Sequence, residues 1–246
     1  MSKICIVLPT YNEAANLPKL VKKLENIITK DELKIVVVDD NSPDGTSEIA
    51  EKLNTQYGNI VVYHRPEKLG IGSAMLDGMK IALSFPDTQF IVTMDADFSH
   101  DPEDIPRLLR AAEKVDFVQA SRYIKGGKII GWNRFRRLES FAANTLCNLL
   151  LRTHIKEHTT SFRVYSRRCV VAIVKNAHSK KFEFAIEFIL IAKDHNFAIK
   201  EVPIAFTERA YGKSKLKISD VFWWFFFLAK TFLSRLSEKP GLKQLR

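Results

Sequence analysis

Three apolar runs, Ile4–Leu8, Leu33–Val38 and Phe90–Met94, carry almost no polar alternation, and each gives way abruptly to polar residues. A strand with one wet face alternates apolar and polar side chains. Near-continuous apolar strands belong to sheets covered on both faces, and such sheets are mostly parallel. Parallel strands need crossover segments, usually helices, and the stretches between the runs supply them. A helix is predicted after Asn16 as N-cap, with Pro18 tolerated in its first turn. The turn residues Ser42-Pro43-Asp44-Gly45 lead into a second helix from Thr46. Ile60–Tyr63 and Phe117–Ala120 read as further strands, and Gly72–Leu83 and Pro102–Ala112 as further helices. This alternation predicts an α/β fold: a doubly wound, mostly parallel sheet with helices on both faces.

The second half is less regular. Phe135–Leu151 and Phe184–Ala192 read as helices. Phe162–Tyr165 reads as a strand, and Ile199–Phe206 as a strand interrupted by Pro203. Ile218–Leu236 reads as a strongly apolar helix. With 246 residues and 46% hydrophobic content, the chain suits one compact domain over residues 1–216 and a C-terminal appendage over 217–246. Cys5, Cys147 and Cys169 lack metal spacing and read as buried small hydrophobes in a reducing compartment. Met1-Ser2-Lys3 runs straight into a strand, so no signal peptide is expected.

In open parallel sheets, ligands bind beyond the carboxyl ends of the strands. Three polar clusters fall there: Pro9-Thr10-Tyr11-Asn12-Glu13, Asp39-Asp40-Asn41 and Asp95-Ala96-Asp97. Asp95 and Asp97 offer hard oxygens for a divalent cation, which Mg²⁺ or Mn²⁺ would complete with substrate phosphates. Tyr11 suits stacking on a base. Glu13, Asp39 and Asp40 suit hydrogen bonds from a base or ribose, or the positive ends of helices. Lys68-Leu69-Gly70-Ile71-Gly72-Ser73 is not a P-loop. It reads either as a helix-start loop or as a nucleotide contact.

The formal charge of +10 calls for an anionic partner. Arg122, Lys125, Lys128, Arg134, Arg136 and Arg137 crowd together, interleaved with Tyr123, Trp132 and Phe135, and Gly126-Gly127 is expected to make the segment flexible. Arginine forks match phosphate oxygens. The same footprint fits nucleic acid or a solvated charged loop. A second basic cluster, Arg209 with Gly212-Lys213-Ser214-Lys215-Leu216-Lys217, could close over a diphosphate. The run Val221–Leu228, with two tryptophans, is shorter than the ~20 apolar residues of a membrane span. It suits a helix lying in a membrane interface, or alternatively a core or subunit contact.

These strings resemble the family-2 glycosyltransferases and, within them, the dolichol-phosphate (polyprenol-phosphate) mannose synthases. The likeness runs from Ile4 to about Leu216. It rests on Leu8-Pro9-Thr10-Tyr11-Asn12-Glu13, Val36 through Gly45, Met94 through His100, Ser121 through Gly127, Thr160-Ser161-Phe162-Arg163, and Glu201-Val202-Pro203 through Leu216. The resemblance implies a GT-A (Rossmann-like) fold, an NDP-sugar donor and inversion at the anomeric carbon. It implies that Pro9, Tyr11, Glu13, Val38 and Asp40 hold guanosine, and that Asp95, Ala96 and Asp97 contact the donor. Asp97 and Ser99 would bind the metal, Mg²⁺ or Mn²⁺. Arg122, Arg136 and Ser140 would bind the lipid phosphate, and Arg209 and Lys215 the donor diphosphate. Some relatives carry glutamine at the Ser99 position and glycine near Thr160.

The activity so implied is transfer of mannose from GDP-mannose to dolichyl or polyprenyl monophosphate. Asp97, Arg122 and Arg136 are its expected catalytic residues. The rivals are another sugar such as glucose from UDP-glucose, a hydroxyl acceptor, and a nucleic-acid-binding protein. The rim carboxylates would repel a nucleic-acid backbone, so no nucleic acid is expected. The expected location is peripheral, on the cytosolic face of a membrane, and a small transmembrane partner subunit is compatible with it.

Overall fold

The computed structural model describes residues 3–209 and 218–237. The strands are β1 (Ile4–Thr10), β2 (Leu33–Asp39), β3 (Ile60–His64), β4 (Phe90–Thr93), β5 (Phe117–Ser121), β6 (Lys128–Ile130), β7 (Arg163–Ser166), β8 (Ile199–Pro203) and β9 (Ala205–Thr207). Seven of them form one sheet in the order β3-β2-β1-β4-β7-β5-β8. Its first four strands are parallel, and so are β5 and β8. β7 runs antiparallel to both its neighbours. β6 and β9 pair in a separate parallel ribbon.

The helices are α1 (Leu17–Ile27), α2 (Thr46–Tyr57), α3 (Ile71–Ser84), α4 (Ile105–Ala112), α5 (Arg134–Leu151), α6 (Arg167–Asn176), α7 (Phe184–Asp194) and α8 (Ile218–Ser237). Strand alternation explains the apolar runs. Ile6, Leu8, Ile35 and Val37 point into a core made with α1, α2 and α4. Cys5, Val7, Val36 and Val38 point into the opposite core, made with α3, α6 and α7. Both faces are covered, so both residue sets must be apolar. A third cluster joins Cys147 and Leu151 of α5, Ile186 and Leu190 of α7, and Leu228 of α8. All three cysteines are buried and free, and burial pushes each thiol up to about 12.

The strand over 199–206 is interrupted at Pro203 as expected, which separates β8 of the main sheet from β9 of the ribbon. Ile204 N–H still donates to Ser121 O (3.0 Å), and Ile204 O then accepts from Lys128 N–H (2.9 Å), which carries the chain into the β6–β9 ribbon. The helix over 102–112 divides into a short 3₁₀ turn, Pro102–Asp104, and α4. Asn16 occupies the N-cap position of α1 without capping it, since its side chain donates to Glu13 Oε2 at 2.8 Å. α6 and β6 have no counterpart in the sequence reading. No helix among the described residues is long and apolar enough to cross a membrane.

His158 makes stability sensitive to acid. It is fully buried, its Nε2 lies 2.7 Å from Thr153 Oγ1, and its Nδ1 has no partner among the described residues. Burial, which outweighs the neighbouring Glu157 charge, pushes the imidazole down to about 4 from 6.5. The unfolded chain therefore binds this proton more readily. The stabilisation is full above pH 6.5 and falls as pH drops towards 4. By pH 5 the loss is about 2 kcal/mol. Urea unfolding at pH 7 and pH 5 should show this drop, and His158→Gln should flatten it. An equal pH slope in the variant would remove His158 as its cause.

Candidate active site

The three rim loops meet at the carboxyl ends of β1, β2 and β4, and each turns through a non-glycine residue in the left-handed region: Asn12 (φ 58°), Asn41 (φ 58°) and Phe98 (φ 61°). Such strain gathers where function dictates backbone shape. The first two loops are stitched by three bonds. Asn12 N–H donates to Ser42 Oγ (2.9 Å), Glu13 N–H to Thr46 Oγ1 (2.9 Å) and Ala14 N–H to Asp44 Oδ2 (3.1 Å).

The two acidic residues that end the β2 run have structural work. Asp39 is fully buried and accepts from Thr10 Oγ1 (2.8 Å), Ser42 N–H (2.8 Å), Ser42 Oγ (2.5 Å) and Ser47 Oγ (2.7 Å). Burial alone would raise its pKa, but the bonds from Ser42, Ser47 and Thr10 hold it below the usual carboxylate value. A carboxylate has about four acceptor positions, so the suggested base or ribose contact has no place left on Asp39. Asp40 accepts from Arg65 Nη1 (2.5 Å) and Gly70 N–H (3.1 Å). Arg65 is itself buried and donates to Ser73 Oγ (2.5 Å).

Pro9 and Val38 lie opposite each other in the β1–β2 register. The Val38 side chain is fully buried on the α3 face, so only its backbone can serve a ligand. Tyr11 carries Lys68 Nζ over its ring at 3.6 Å, and Glu13 is buried at the loop junction. At the start of α3, a Cβ on Gly70 would meet Lys180 O at 2.5 Å, and one on Gly72 would meet Lys181 O at 2.6 Å. These glycines answer to packing at a helix start.

At the third rim loop, Asp97 is buried. Its Oδ1 accepts from Ser99 N–H (3.0 Å) and Ser99 Oγ (2.5 Å), and its Oδ2 lies 3.2 Å from Arg209 Nη1. Burial favours protonation, but the Ser99 bonds and the Arg209 charge prevail and hold the carboxyl below its ordinary pKa. The guanidinium on Oδ2 shows that this oxygen accommodates a cation. Among the described residues no three His, Cys, Asp or Glu gather as a metal cluster. The protein would thus offer a few hard oxygens, from Asp97, Asp95 and Ser99, as suits Mg²⁺ or Mn²⁺ completed by phosphates. Ser99 directs its hydroxyl hydrogen to Asp97, so it orients that carboxylate whatever else it does. Ala96 is buried in the core between the two.

His100 escaped notice in the sequence beyond its place in the Met94–His100 string. It is buried, stacks on Phe162 (5.1 Å) and meets Phe206 edge-on (5.6 Å). Its Nδ1 accepts from Asp95 N–H (3.2 Å), which leaves Nε2–H to donate to Thr160 Oγ1 (2.9 Å). Burial, outweighing the nearby carboxylates, lowers its pKa and keeps it neutral. Next to Thr160, Ser161 Oγ donates to Asp95 Oδ1 at 2.7 Å.

The basic stretch sorts into two groups. Arg122 is buried and forms a two-bond pair with fully buried Glu157, through Nε–Oε2 (2.7 Å) and Nη2–Oε1 (2.9 Å). Tyr123, Trp132 and Phe206 rings surround its guanidinium at 5.1–5.4 Å. Arg136 pairs with Glu208 (2.7 Å) and lies over Trp132 at 4.3 Å. Ser140 follows one turn later on α5, and its carbonyl accepts from Asn144 Nδ2 (2.8 Å). Beside them an open groove of about 440 Å³ is lined by Arg122, Arg134 and Arg137 together with Ile129, Leu138 and Phe141. Arg137 is tied to Ile129 O and Trp132 O (2.7 and 3.2 Å). Gly127 serves close approach rather than flexibility, since a Cβ there would meet the Arg122 backbone at 2.6 Å.

One short segment spans both halves. Phe206 packs on Arg122 and His100, Glu208 holds Arg136, and Arg209 holds Asp97. Lys215 and the rest of 210–217 lie outside the described residues.

The family model described as Glycosyl transferase family 2 matches residues 5–173. The chain belongs to this family. It is 38% identical over 219 residues to the polyprenol monophosphomannose synthase of Mycolicibacterium smegmatis, covering 88% of this chain and 82% of that one. It is 34% identical over 215 residues to the undecaprenyl-phosphate mannosyltransferase of Micrococcus luteus, covering 87% of each. Among solved structures it is similar to glucosyl-3-phosphoglycerate synthase from Mycobacterium tuberculosis in complex with Mn²⁺, UDP and glucosyl-3-phosphoglycerate. That match has TM-score 0.66 and 18% identity, over 95% of this chain and 80% of that one. A form of the same enzyme with Mg²⁺ and UDP gives TM-score 0.65 at 19% identity, over 95% and 79%. These matches bear out the expected GT-A-like fold, and this family-2 member is a glycosyltransferase.

Proposed function

We propose that this glycosyltransferase moves mannose from GDP-mannose to dolichyl or another polyprenyl monophosphate, with inversion, using Mg²⁺ or Mn²⁺. The observation that carries the reading is the pairing of a carboxylate rim with a groove that is both cationic and apolar. A lipid phosphate complements both characters in one molecule, with an anionic head for the arginines and an apolar chain for the rest. The polyprenyl-phosphate relatives support the acceptor class and the sugar. The nucleotide-bound neighbours support a divalent ion.

A hydroxyl acceptor needs a general base. A phosphate monoester, with a second pKa of about 6, arrives largely ionised at neutral pH. The protein's task is then to bring two anions together. Arg122, Arg136 and Ser140 would bind the acceptor phosphate, with Arg134 and Arg137 lining the groove beside them. Tyr11, Glu13, Asp40 and the backbone of Pro9 and Val38 would hold the nucleoside. When bound at Asp97, with Asp95 and Ser99 beside it, the metal ion would neutralise charge building on the leaving diphosphate. Arg209 would pass from Asp97 to that diphosphate, joined by Lys215. A donor panel of GDP-mannose, UDP-glucose and other nucleotide sugars, with undecaprenyl phosphate and Mn²⁺, tests the reading through labelled lipid product. GDP-mannose should dominate. Product from UDP-glucose alone, or with hydroxyl acceptors alone, would replace it.

We further propose that residues 217–246 hold the enzyme peripherally on the cytosolic face of a membrane, with residues 1–216 as the catalytic domain. α8 rests on α5 and α7 through Leu228, while Phe222 (71% exposed), Trp223 (56%) and Phe226 (59%) face outward. Phe135, Leu138 and Phe141 of α5 are exposed as well. A transmembrane partner subunit would fit the same faces. Flotation with anionic liposomes should carry the wild type upward, and Phe222→Ser/Trp223→Ser/Phe226→Ser should stay behind. Unchanged flotation of the triple variant would move the anchor elsewhere.

A further inference from the structure

Glu157 lies under the groove, 35 residues from its partner Arg122 in sequence. Its carboxylate is spent on Arg122 and on Thr159, which Arg122 also reaches. Oε2 accepts from Arg122 Nε (2.7 Å) and more loosely from Arg122 N–H (3.4 Å). Oε1 accepts from Arg122 Nη2 (2.9 Å), Thr159 N–H (3.0 Å) and Thr159 Oγ1 (2.8 Å). The same Arg122 Nη2 donates to Thr159 Oγ1 at 2.7 Å. Glu157 is itself held from behind. Glu201 of β8 accepts from Lys156 N–H (2.9 Å) and Glu157 N–H (3.0 Å), which fixes the backbone that carries the carboxylate.

We infer that Glu157 is a positioning residue for acceptor binding: it locks the Arg122 guanidinium in one plane and aims its remaining edge into the groove. This rests on reading the groove as the acceptor phosphate site. Two carboxylate oxygens facing two nitrogens of a planar fork leave one orientation. Burial would favour a neutral Glu157, but the Arg122 charge and the Thr159 bonds keep it ionised. Stability alone is a poor explanation for such a pair. Desolvating two charges is expensive, and apolar residues of similar size often do as well or better. A fixed fork is something an apolar pair cannot supply. Glu157 also tempers the charge of Arg122, leaving Arg134 as a more exposed cation at the groove, with no ion-pair partner among the described residues.

The test measures kcat and KM separately for undecaprenyl phosphate and for the nucleotide sugar, with GDP·Mn²⁺ binding by calorimetry. Wild-type turnover with the lipid acceptor is the control for the acceptor assignment, and its absence would defeat that assignment rather than this inference. Glu157→Gln should lower kcat/KM for undecaprenyl phosphate on the order of 100-fold, the cost of a misplaced contact. GDP·Mn²⁺ affinity should not change. Glu157→Asp, which keeps the charge on a shorter arm, should fall between the two. Because Glu157→Gln strands a buried charge, the double variant Arg122→Leu/Glu157→Leu provides the separation. It should melt near the wild-type temperature yet stay impaired towards the acceptor. Recovery of acceptor kcat/KM in the double variant would make the pair purely structural. Equal losses for donor and acceptor in Glu157→Gln would overturn the inference as well.

Discussion

Asp97→Asn is expected to lower sugar transfer by about a thousandfold, in the range lost when electrostatic stabilisation of a transition state is removed. The native carboxylate binds Ser99 through Oδ1 and faces Arg209 through Oδ2. Asparagine can keep the first contact. Its amide NH₂ then sits in place of Oδ2, an N–H donor where a cation belongs. The fold should survive, because the Ser99 turn needs only one acceptor. Labelled lipid product, measured across a Mn²⁺ titration, checks the expectation. Wild-type turnover with unchanged metal response would remove Asp97 from the metal site. Unfolding of the variant would show instead that the Arg209 pair is structural.

Arg65→Met is expected to destabilise the protein by about 3–5 kcal/mol, the cost of stranding a buried charge. Arg65 and Asp40 are both buried, and their 2.5 Å contact is supported by Ser73 Oγ at 2.5 Å and by Asp77, 3.6 Å from Nε. Methionine fills much of the volume but leaves Asp40 with only Gly70 N–H of its present donors. The loop before α3 should loosen next to Tyr11, so donor affinity should fall as well. Urea unfolding and GDP·Mn²⁺ calorimetry read the two effects. A loss below about 1 kcal/mol would mean that water reaches Asp40, which its burial argues against.

Arg65 shows why part of the site was illegible in sequence. A lone arginine after a strand carries no signal of burial, and its partner Asp40 lies 25 residues away. Asp39 shows the converse. Its acidic pair with Asp40 suggested ligand binding, yet four bonds consume it, three from Ser42 and Ser47 nearby in sequence and one from Thr10 on the neighbouring strand. Glu157 and His100 are of the same kind. Each acts through a partner that folding brings close, Arg122 for one and Asp95 with Thr160 for the other. Gly127 suggested freedom of the backbone, and Gly70 and Gly72 either a helix start or a nucleotide contact. All three mark places where another backbone comes too close for a side chain.

Local chemistry by itself determined the mostly parallel sheet, its two covered faces, and the rim that carries Tyr11, Asp40, Asp95 and Asp97. Those features follow from hydrophobic runs and the residues next to them, which interact over a few positions. Tertiary structure alone decided how charges are shared. It paired Arg122 with Glu157, Arg136 with Glu208 and Asp97 with Arg209, and left Arg134 and Arg137 at an apolar groove. Coulombic partnership depends on distance and burial, which sequence spacing does not encode.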